Sequence, residues 1–546
     1  MDKKSPFLIA LLDAKSALDV VVLKILLRKV HFTDVNPATW ILIDEIHKNT
    51  EACVKWANDY SEKFPVQQGV KQGGLLSADL YKIYIEDLLH NFENVAQGCT
   101  IGETSVNAIA CADDVALMSE NPAELQLLIN IAAEYSQNHH YLLQPQKSVV
   151  LQIEPTNRKK QSKSVNLTLN ESPMPVVDKS PHLGILRSTS SKNSQNETTE
   201  QNITKSRRAA YSLMSAGLHG ENGLDPITSL HLIKTFIQPI LTYGLEVILP
   251  TSSNLLKLEK FQKQLLKRIM SLPICTPDPS IYILSGFLPI EAQIDQKALI
   301  LFNNICRQDN SNLEKKLAIR QLSIKDQSSN SWFISIKKMI FKYGLPSPLQ
   351  LLNCAPKKFQ WKRTVQIAIY KYWKEAIISS GKSYASLRHL NIDAYNPGKF
   401  HHLLDINTTN DPTRETTRLA IKLKLVTGTY ILQNKRFRYT ENETPICKLC
   451  DHGDETLCHF LLDCQILEPI RRKYFHQIDE ILQLISEENF TTLSSHDKIQ
   501  IILDCSLHYP GLKGNSENII KLDAICRQMS YALHIARYRS LDIKRK

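Results

Sequence analysis

The stretch NAIACADDVALMS, Asn107 to Ser119, constrains the fold more than any other part of the chain. Two adjacent aspartates, Asp113 and Asp114, interrupt two short apolar runs, Ala108 to Ala112 and Val115 to Met118. Apolar runs on either side of two polar residues predict a β-hairpin. Asp is one of the few non-glycine residues that tolerate the left-handed conformations of a tight turn. The tip then carries two carboxylates on a rigid support. Held close, they repel unless positive charge lies between them, and a hard divalent cation meets that need. The same stretch also reads as a solvated turn with two charges.

The rest of residues 1 to about 155 predicts a sheet around this hairpin. Pro6 to Leu12 is a buried-strand run, and Ser148 to Ile153 is another. Ser16 to Val30 reads as helix, Asn36-Pro37 caps and opens a second, and Leu75 to Leu89 forms a third. Pro122 to Gln137 sets Leu125, Leu128, Ile129 and Ala132 on one helical face. Ala52 to Trp56 and Lys63 to Gln67 read as a second hairpin. Strands interleaved with helices indicate an α/β or α+β sheet with helices on one side. More strand and turn follow, then the polar run TSSKNSQNETTEQN, which predicts a linker near residues 188–202. Beyond it the periodicity is almost wholly helical. In NLLKLEKFQKQLLKRIM, Leu258, Phe261, Leu265 and Ile269 share a face, with Lys257, Lys260, Lys263 and Lys267 largely off it. That basic face reads as solvated or as a nucleic-acid contact.

At 546 residues the chain holds two to four domains, and its 43% hydrophobic residues suffice for real cores. Sixty-six Lys+Arg against 55 Asp+Glu give +11, spread along the chain and compatible with a polyanionic partner. Eight of the 12 cysteines are scattered irregularly, which suits buried thiols in a reducing, intracellular compartment. The opening MDKKSPFLIALLDAK resembles a signal peptide only until Asp13, and no cleavage site follows. No apolar run is long enough to span a membrane.

A metal-binding hairpin needs a third acid. Asp13 stands where a buried strand gives way, the place where such a sheet presents ligands. Asp13, Asp113 and Asp114 converging at one sheet edge would bind two Mg²⁺, with a 3′-hydroxyl activated and pyrophosphate stabilised as leaving group. The segment QQGVKQGGLLSADLY, Gln67 to Tyr81, adds Gly69, Gly73 and Gly74 for close backbone approach to a ligand, with Lys71 and Gln72 beside them. Ser77 is positioned to cap the next helix. Alone, this cluster also reads as an ordinary loop-to-helix turn.

Together LLDAKSALDVV, QGVKQGGLLSADLYKIYIEDL, CADDVAL, LLQPQKSVVL and HLGI, in that order, resemble the palm motifs of non-LTR (LINE-type) retrotransposon reverse transcriptases. ILTYGLEVI and LSGFLPIEAQI extend the resemblance through the middle of the chain. It implies that Asp13, Asp113 and Asp114 are catalytic and hold Mg²⁺. It sets Gln72 and Gly73 against nucleotide and template, Lys147 near the triphosphate, and Leu183 and Gly184 in the primer-grip turn. Leu18 replaces the family's usual Phe near the sugar, which implies weaker rejection of ribonucleotides. Cys111 stands where Tyr or Phe precedes the acidic pair, and GGLLS replaces a proline-bearing turn. Only twelve residues precede Asp13, where the family carries its fingers. We therefore expect an amino-terminally truncated copy that keeps its metal ligands and loses much substrate positioning.

The second cluster is CKLCDHGDETLCHFLLDC, which gives Cys447-x₂-Cys450-x₈-His459-x₄-Cys464. Three thiolates and one imidazole make a tetrahedral structural Zn²⁺ site, with Cys458 and His452 spare. It resembles the zinc knuckle that follows the polymerase in many non-LTR elements. Just before it, Arg418, Lys422, Lys424, Lys435, Arg436 and Arg438 interleave with Tyr430, Phe437 and Tyr439. That pattern suits either a stacking, phosphate-binding surface or an amphipathic helix with a solvated basic side.

These readings combine into an α+β palm over 1–187 without fingers and a polar linker over 188–204. A helical thumb-like region covers 205–345 and a basic helical region 346–440. The knuckle takes 441–470, and helices fill 471–546. The resemblance implies an RNA-directed DNA polymerase fragment acting on an RNA template, a DNA primer or target and deoxynucleoside triphosphates, with no membrane partner. The alternative is a catalytically silent nucleic-acid-binding derivative. Nuclear or cytoplasmic location follows from that role, with DIKRK at the end as a weak nuclear address.

Overall fold

The computed structural model describes residues 6–153, 165–406, 412–486, 489–509 and 516–541. The closing DIKRK run lies outside the described residues. The chain divides into two compact units, Met1–Thr198 and Thr199–Lys546.

The first unit is α+β. Strand β1 (Phe7–Leu12), β2 (Ala108–Cys111), β3 (Asp114–Ser119) and β4 (Val149–Ile153) form an antiparallel sheet in the order β4-β1-β3-β2. FLIALL occupies the centre because it is apolar on both faces. Leu8, Ala10 and Leu12 join the core that includes Leu88, Phe92, Leu125 and Leu128, while Leu11 packs with Ala116 and Leu151. Helices α1 (Leu23–His31), α2 (Pro37–His47), α3 (Ser77–Val95) and α4 (Pro122–Asn138) complete the unit. The Asn36 and Asn121 side chains cap α2 and α4 by accepting from Ala38 and Ala123 N–H at 2.8 and 2.9 Å. Leu125, Leu128, Ile129 and Ala132 are all buried, as their spacing predicts. Strands β5 (Lys179–His182) and β6 (Ile185–Ser188) form a tight hairpin.

Four local expectations change. Ser16 to Val22 is not helix; α1 begins at Leu23. The carbonyls of Leu18 and Val21 are taken instead by Val70 and Gly69 N–H, each at 2.8 Å. Ser77 is the first residue of α3 rather than its cap, and its hydroxyl donates back to the Lys71 carbonyl at 2.6 Å. The second hairpin is two nested short ribbons, Glu51–Ala52 with Phe64–Pro65 and Lys55–Trp56 with Asp59–Tyr60. Finally, the expected linker is helix α5 (Ser191–Met214). Its Ser, Thr and Asn residues misled because several line the buried face. Thr198, Thr199, Asn202 and Ser206 are buried with Ile203 and Ala210, and the Asn202 amide donates to the Tyr243 carbonyl at 2.8 Å. The division into units falls inside this helix.

The second unit is helical. Its main members are α6 (Ser252–Ile269), α7 (Asp278–Ser285), α8 (Ile290–Cys306), α9 (Lys358–Lys382), α10 (Pro412–Val426), α11 (Glu468–Ser486), α12 (Ser495–His508) and α13 (Ser516–Ser540). Leu258, Leu265 and Ile269 of α6 are buried as expected. Trp361 on α9 packs beside Phe302 on α8 and donates its indole N–H to the Leu299 carbonyl at 2.9 Å. Helices α10 and α13 are joined by a buried charge network. Arg527 binds Glu415 at 2.8 Å and Asp523 at 2.6 Å, and Lys422 closes onto Asp523. Among the described residues no helix is long and apolar enough to cross a membrane.

Candidate catalytic and metal-binding sites

Strand pairing decides where the acids meet. Leu12 pairs with Val115 in the antiparallel register, so Asp13 comes opposite Asp114 at the same sheet end. Cys111 pairs with Asp114, which leaves Ala112 and Asp113 as the two-residue turn. The left-handed residue there is Ala112 (φ 53°), not an aspartate. Burial, then Asp113 and, more weakly, Asp13 hold the Asp114 carboxyl above the usual carboxylate range, with His182 opposing them. Three acids at one edge with a raised carboxyl are the electrostatic signature of a site short of positive charge. That donor set of carboxylate oxygens suits Mg²⁺. Among the described residues, two groups bring three or more ligand-type side chains within 4.8 Å of one another, and both lie in the second unit. The aspartate trio is a looser arrangement.

The other predicted residues gather near this edge in two steps. Lys147 Nζ stands 4.0 Å from Asp13 Oδ2, and the Asp13 N–H donates to Ser148 Oγ at 3.0 Å. The glycine loop is drawn to Leu18 by the Val70 and Gly69 backbone bonds already described. Gly69 has φ 93°, and a Cβ there would meet the Asp19 carbonyl oxygen at 2.7 Å, so only glycine fits without a shift. The Gln72 amide donates to Asp19 Oδ1 at 2.9 Å, with Gly73 next to it. Leu183 (φ 51°) and Gly184 (φ 73°) form the β5–β6 turn. Sequence reasoning missed Asp19, Tyr81 and His182. His182 opens the very block HLGI, yet only the folded chain brings it close enough to Asp114 for their charges to interact. Tyr81, in the helical run after the glycines, lies within reach of the Asp113 charge.

Cys447, Cys450, His459 and Cys464 converge in the second unit, and Cys458 and His452 stay outside the group. Cys447 and Cys464 Sγ are 4.0 Å apart, and Cys450 Sγ lies 3.3 Å from His459 Nε2. The CxxC closes a knuckle in which Cys447 N–H donates to Gly453 O and Asp451 N–H to Cys447 O, both at 2.9 Å. His459 and Cys464 are five positions apart, which an ordinary α-helix would turn about 140° away from each other. Here residues His459–Asp463 make one turn of π-helix, and Cys464 N–H bonds the His459 carbonyl at 2.8 Å. That single wide turn aligns the two ligands. Burial pushes the Cys447 thiol up to about 12, with neighbouring Cys464 adding to it. A cation among these sulfurs would stabilise the thiolates, and a soft S₃N set of four ligands suits zinc.

The basic stretch is less available than its composition predicts. Lys422 and Tyr430 are buried, Arg418 is held by Glu415, and Arg436 by Glu443 at 3.4 Å. On α6, Lys267 is buried, and both it and Lys263 pair with Asp278, at 3.0 and 2.8 Å. A helix amphipathic by sequence turns some lysines inward when an acid waits there. Arg438 and the aromatic rings of Phe437 and Tyr439 remain exposed.

Residues 1–181 match the family described as reverse transcriptase (RNA-dependent DNA polymerase). The chain is 23% identical over 288 residues to the retrovirus-related Pol polyprotein from type-1 retrotransposable element R2 of Popillia japonica, covering 52% of this chain and 39% of that protein. It is 24% identical over 280 residues to the corresponding R2 polyprotein of Bradysia coprophila, covering 50% of this chain and 30% of that one. The chain thus spans well under half the length of these relatives. The matched segment contains the whole edge where β1, β3 and the glycine loop assemble, so residues 1–181 are similar to reverse-transcriptase domains, and the relatives found are polyproteins of R2 retrotransposable elements.

Proposed function

We propose that the chain is an RNA-directed DNA polymerase segment of a non-LTR element, working by two-metal nucleotidyl transfer. The observation that carries this reading is the β1–β3 register, with Asp13 opposite Asp114 beside the Asp113 turn. In the reaction, a primer 3′-oxygen attacks the α-phosphorus of a deoxynucleoside triphosphate and pyrophosphate leaves. Asp13, Asp113 and Asp114 would hold two Mg²⁺, which would supply Lewis-acid chemistry. Lys147 offers a cation to the triphosphate, and the Gln72–Gly73 loop, fixed through Asp19, flanks the nucleotide. Leu18 sets the space beside the sugar. The thumb-like region, the basic region and a zinc-loaded Cys447–Cys464 knuckle grip template RNA and target DNA, which assigns the chain to nucleus or cytoplasm.

Primer extension on an RNA template with Mg²⁺, run beside Asp113→Asn, tests this. The substitution should reduce extension by at least on the order of 10²–10³-fold. If neither chain extends while salt-sensitive RNA binding persists in both, the chain is a silent binder and the polymerase reading fails.

A further inference from the structure

Far from the knuckle ligands in sequence, His401, His402 and Asp504 bring their donor atoms within 4.8 Å of one another. His401 and Asp504 are buried, and His402 is partly open. His401 Nε2 lies 3.6 Å from Asp504 Oδ2, and His402 Nε2 lies 3.3 Å from Oδ1. Among the described residues neither Nε2 has a hydrogen-bond partner, while His401 Nδ1 accepts the Leu403 N–H at 3.4 Å. Two buried imidazole nitrogens aimed at one carboxylate without bonding it are costly unless something else joins them. Donors about 2.0–2.1 Å from a tetrahedrally bound ion sit roughly 3.3–3.4 Å apart, close to the spacings found here.

The carboxylate is built into place. Asp504 has extended dihedrals (φ −153°, ψ 93°) inside helix α12, which kinks there. Gln500 accounts for the kink: its amide donates to the Asp504 carbonyl at 2.9 Å and to the His389 carbonyl at 3.0 Å. Asp504 Oδ2 accepts from Asn391 N–H at 2.8 Å. Its Oδ1 accepts from Ser506 N–H at 3.2 Å and Ser506 Oγ at 2.7 Å. Such outer partners orient a metal-binding carboxylate and fix its charge.

We propose that His401, His402 and Asp504 form a second metal site, independent of the Cys447–Cys464 cluster, for a first-row transition dication such as Zn²⁺. Two imidazoles and one carboxylate suit such an ion rather than Mg²⁺, which prefers oxygen donors. The ion pins the His402–Leu404 turn to the α12 kink, and the open side of His402 leaves room for one exchangeable water.

Equilibrium dialysis of the full chain against Zn²⁺, with Mg²⁺ in large excess to fill carboxylate sites, measures the metal content. Two zinc equivalents per chain are expected, and one in His402→Gln. Cobalt-loaded His402→Gln should keep the thiolate-to-cobalt charge-transfer absorption, because the sulfur cluster is untouched. In a Cys447→Ser/Cys450→Ser chain, X-ray absorption should show residual zinc bound by nitrogen and oxygen alone. One equivalent in the wild type overturns the proposal, as does a His402→Gln count equal to wild type. Should His402→Gln fail to fold, the wild-type count and the double-serine spectrum still decide. Absence of zinc from the double-serine chain also overturns it.

Discussion

At the scale of single residues, the acidic edge has a cost that is measurable without catalysis. Asp114 titrates above its ordinary value chiefly through burial and then through Asp113. A carboxyl raised in the folded state is penalised when ionised; the penalty is absent below its unfolded pKa and fully present above the raised one. Asp113→Asn should therefore raise the melting temperature by about 1–2 °C at neutral pH without Mg²⁺, and the gain should vanish in acid. Added Mg²⁺ should stabilise the wild type more than the variant, as a ligand bound only by the native state does. Equal melting shifts with Mg²⁺ would separate Asp113 from the ion. Leu18 gives a second test at this scale. Its side chain is half-buried beside the Gly69–Val70 crossing, and Leu18→Phe should lower ribonucleotide incorporation relative to deoxynucleotide by roughly 10-fold or more, about 1.4 kcal/mol. Unchanged discrimination in single-nucleotide extension would free Leu18 from that role.

At the scale of elements, α10 and α13 depend on charges that never meet water. Glu415, Lys422 and Arg527 are fully buried and Asp523 nearly so. Removing one partner strands the others, so Arg527→Met should destabilise the second unit by about 3–5 kcal/mol in guanidinium titration. Glu415→Leu/Arg527→Met should recover most of that loss, because Lys422 still answers Asp523. A double variant as unstable as the single would show that packing rather than charge governs this contact. The network also marks the limit of legibility. Apolar runs such as FLIALL and helical spacings such as Leu125, Leu128, Ile129 and Ala132 read directly, since burial dictates residue type there. Helix α5 did not, because Thr198 and Asn202 do apolar residues' work with hydrogen bonds that composition cannot reveal. The four-ligand cluster was readable from spacing, although the π-turn that aligns His459 with Cys464 was not. That Asp13 would meet Asp113 and Asp114 was legible from where the first apolar run ends, although the register that sets Asp13 opposite Asp114 was not, and the trio of His401, His402 and Asp504 had no motif to announce it: its carboxylate depends on a kink in α12 that helical periodicity conceals.

At the scale of the whole chain, a net charge of +11 overstates the charge free to meet a polyanion. Lys422 is buried against Asp523, Lys263 and Lys267 share Asp278, Lys257 pairs with Glu200 and Arg418 with Glu415. A lysine already neutralised by its own chain releases no counterion when RNA binds. The short segment Arg436 to Tyr439 is different. Arg438 is exposed, and the Phe437 and Tyr439 rings, 49% and 87% exposed, flank it as stacking faces beside a charge. Binding of single-stranded RNA, followed by fluorescence anisotropy over a salt series, should then respond unequally. Arg438→Gln should reduce the slope of log K against log salt by about 0.7, the contribution of one phosphate contact on a single strand. Tyr439→Ala should weaken binding by about 1–3 kcal/mol while leaving that slope alone, since stacking involves no counterion. Lys263→Gln should change neither. If Lys263→Gln lowers the slope as much as Arg438→Gln does, the Asp278 pairing yields to RNA, and the nucleic-acid surface extends along α6.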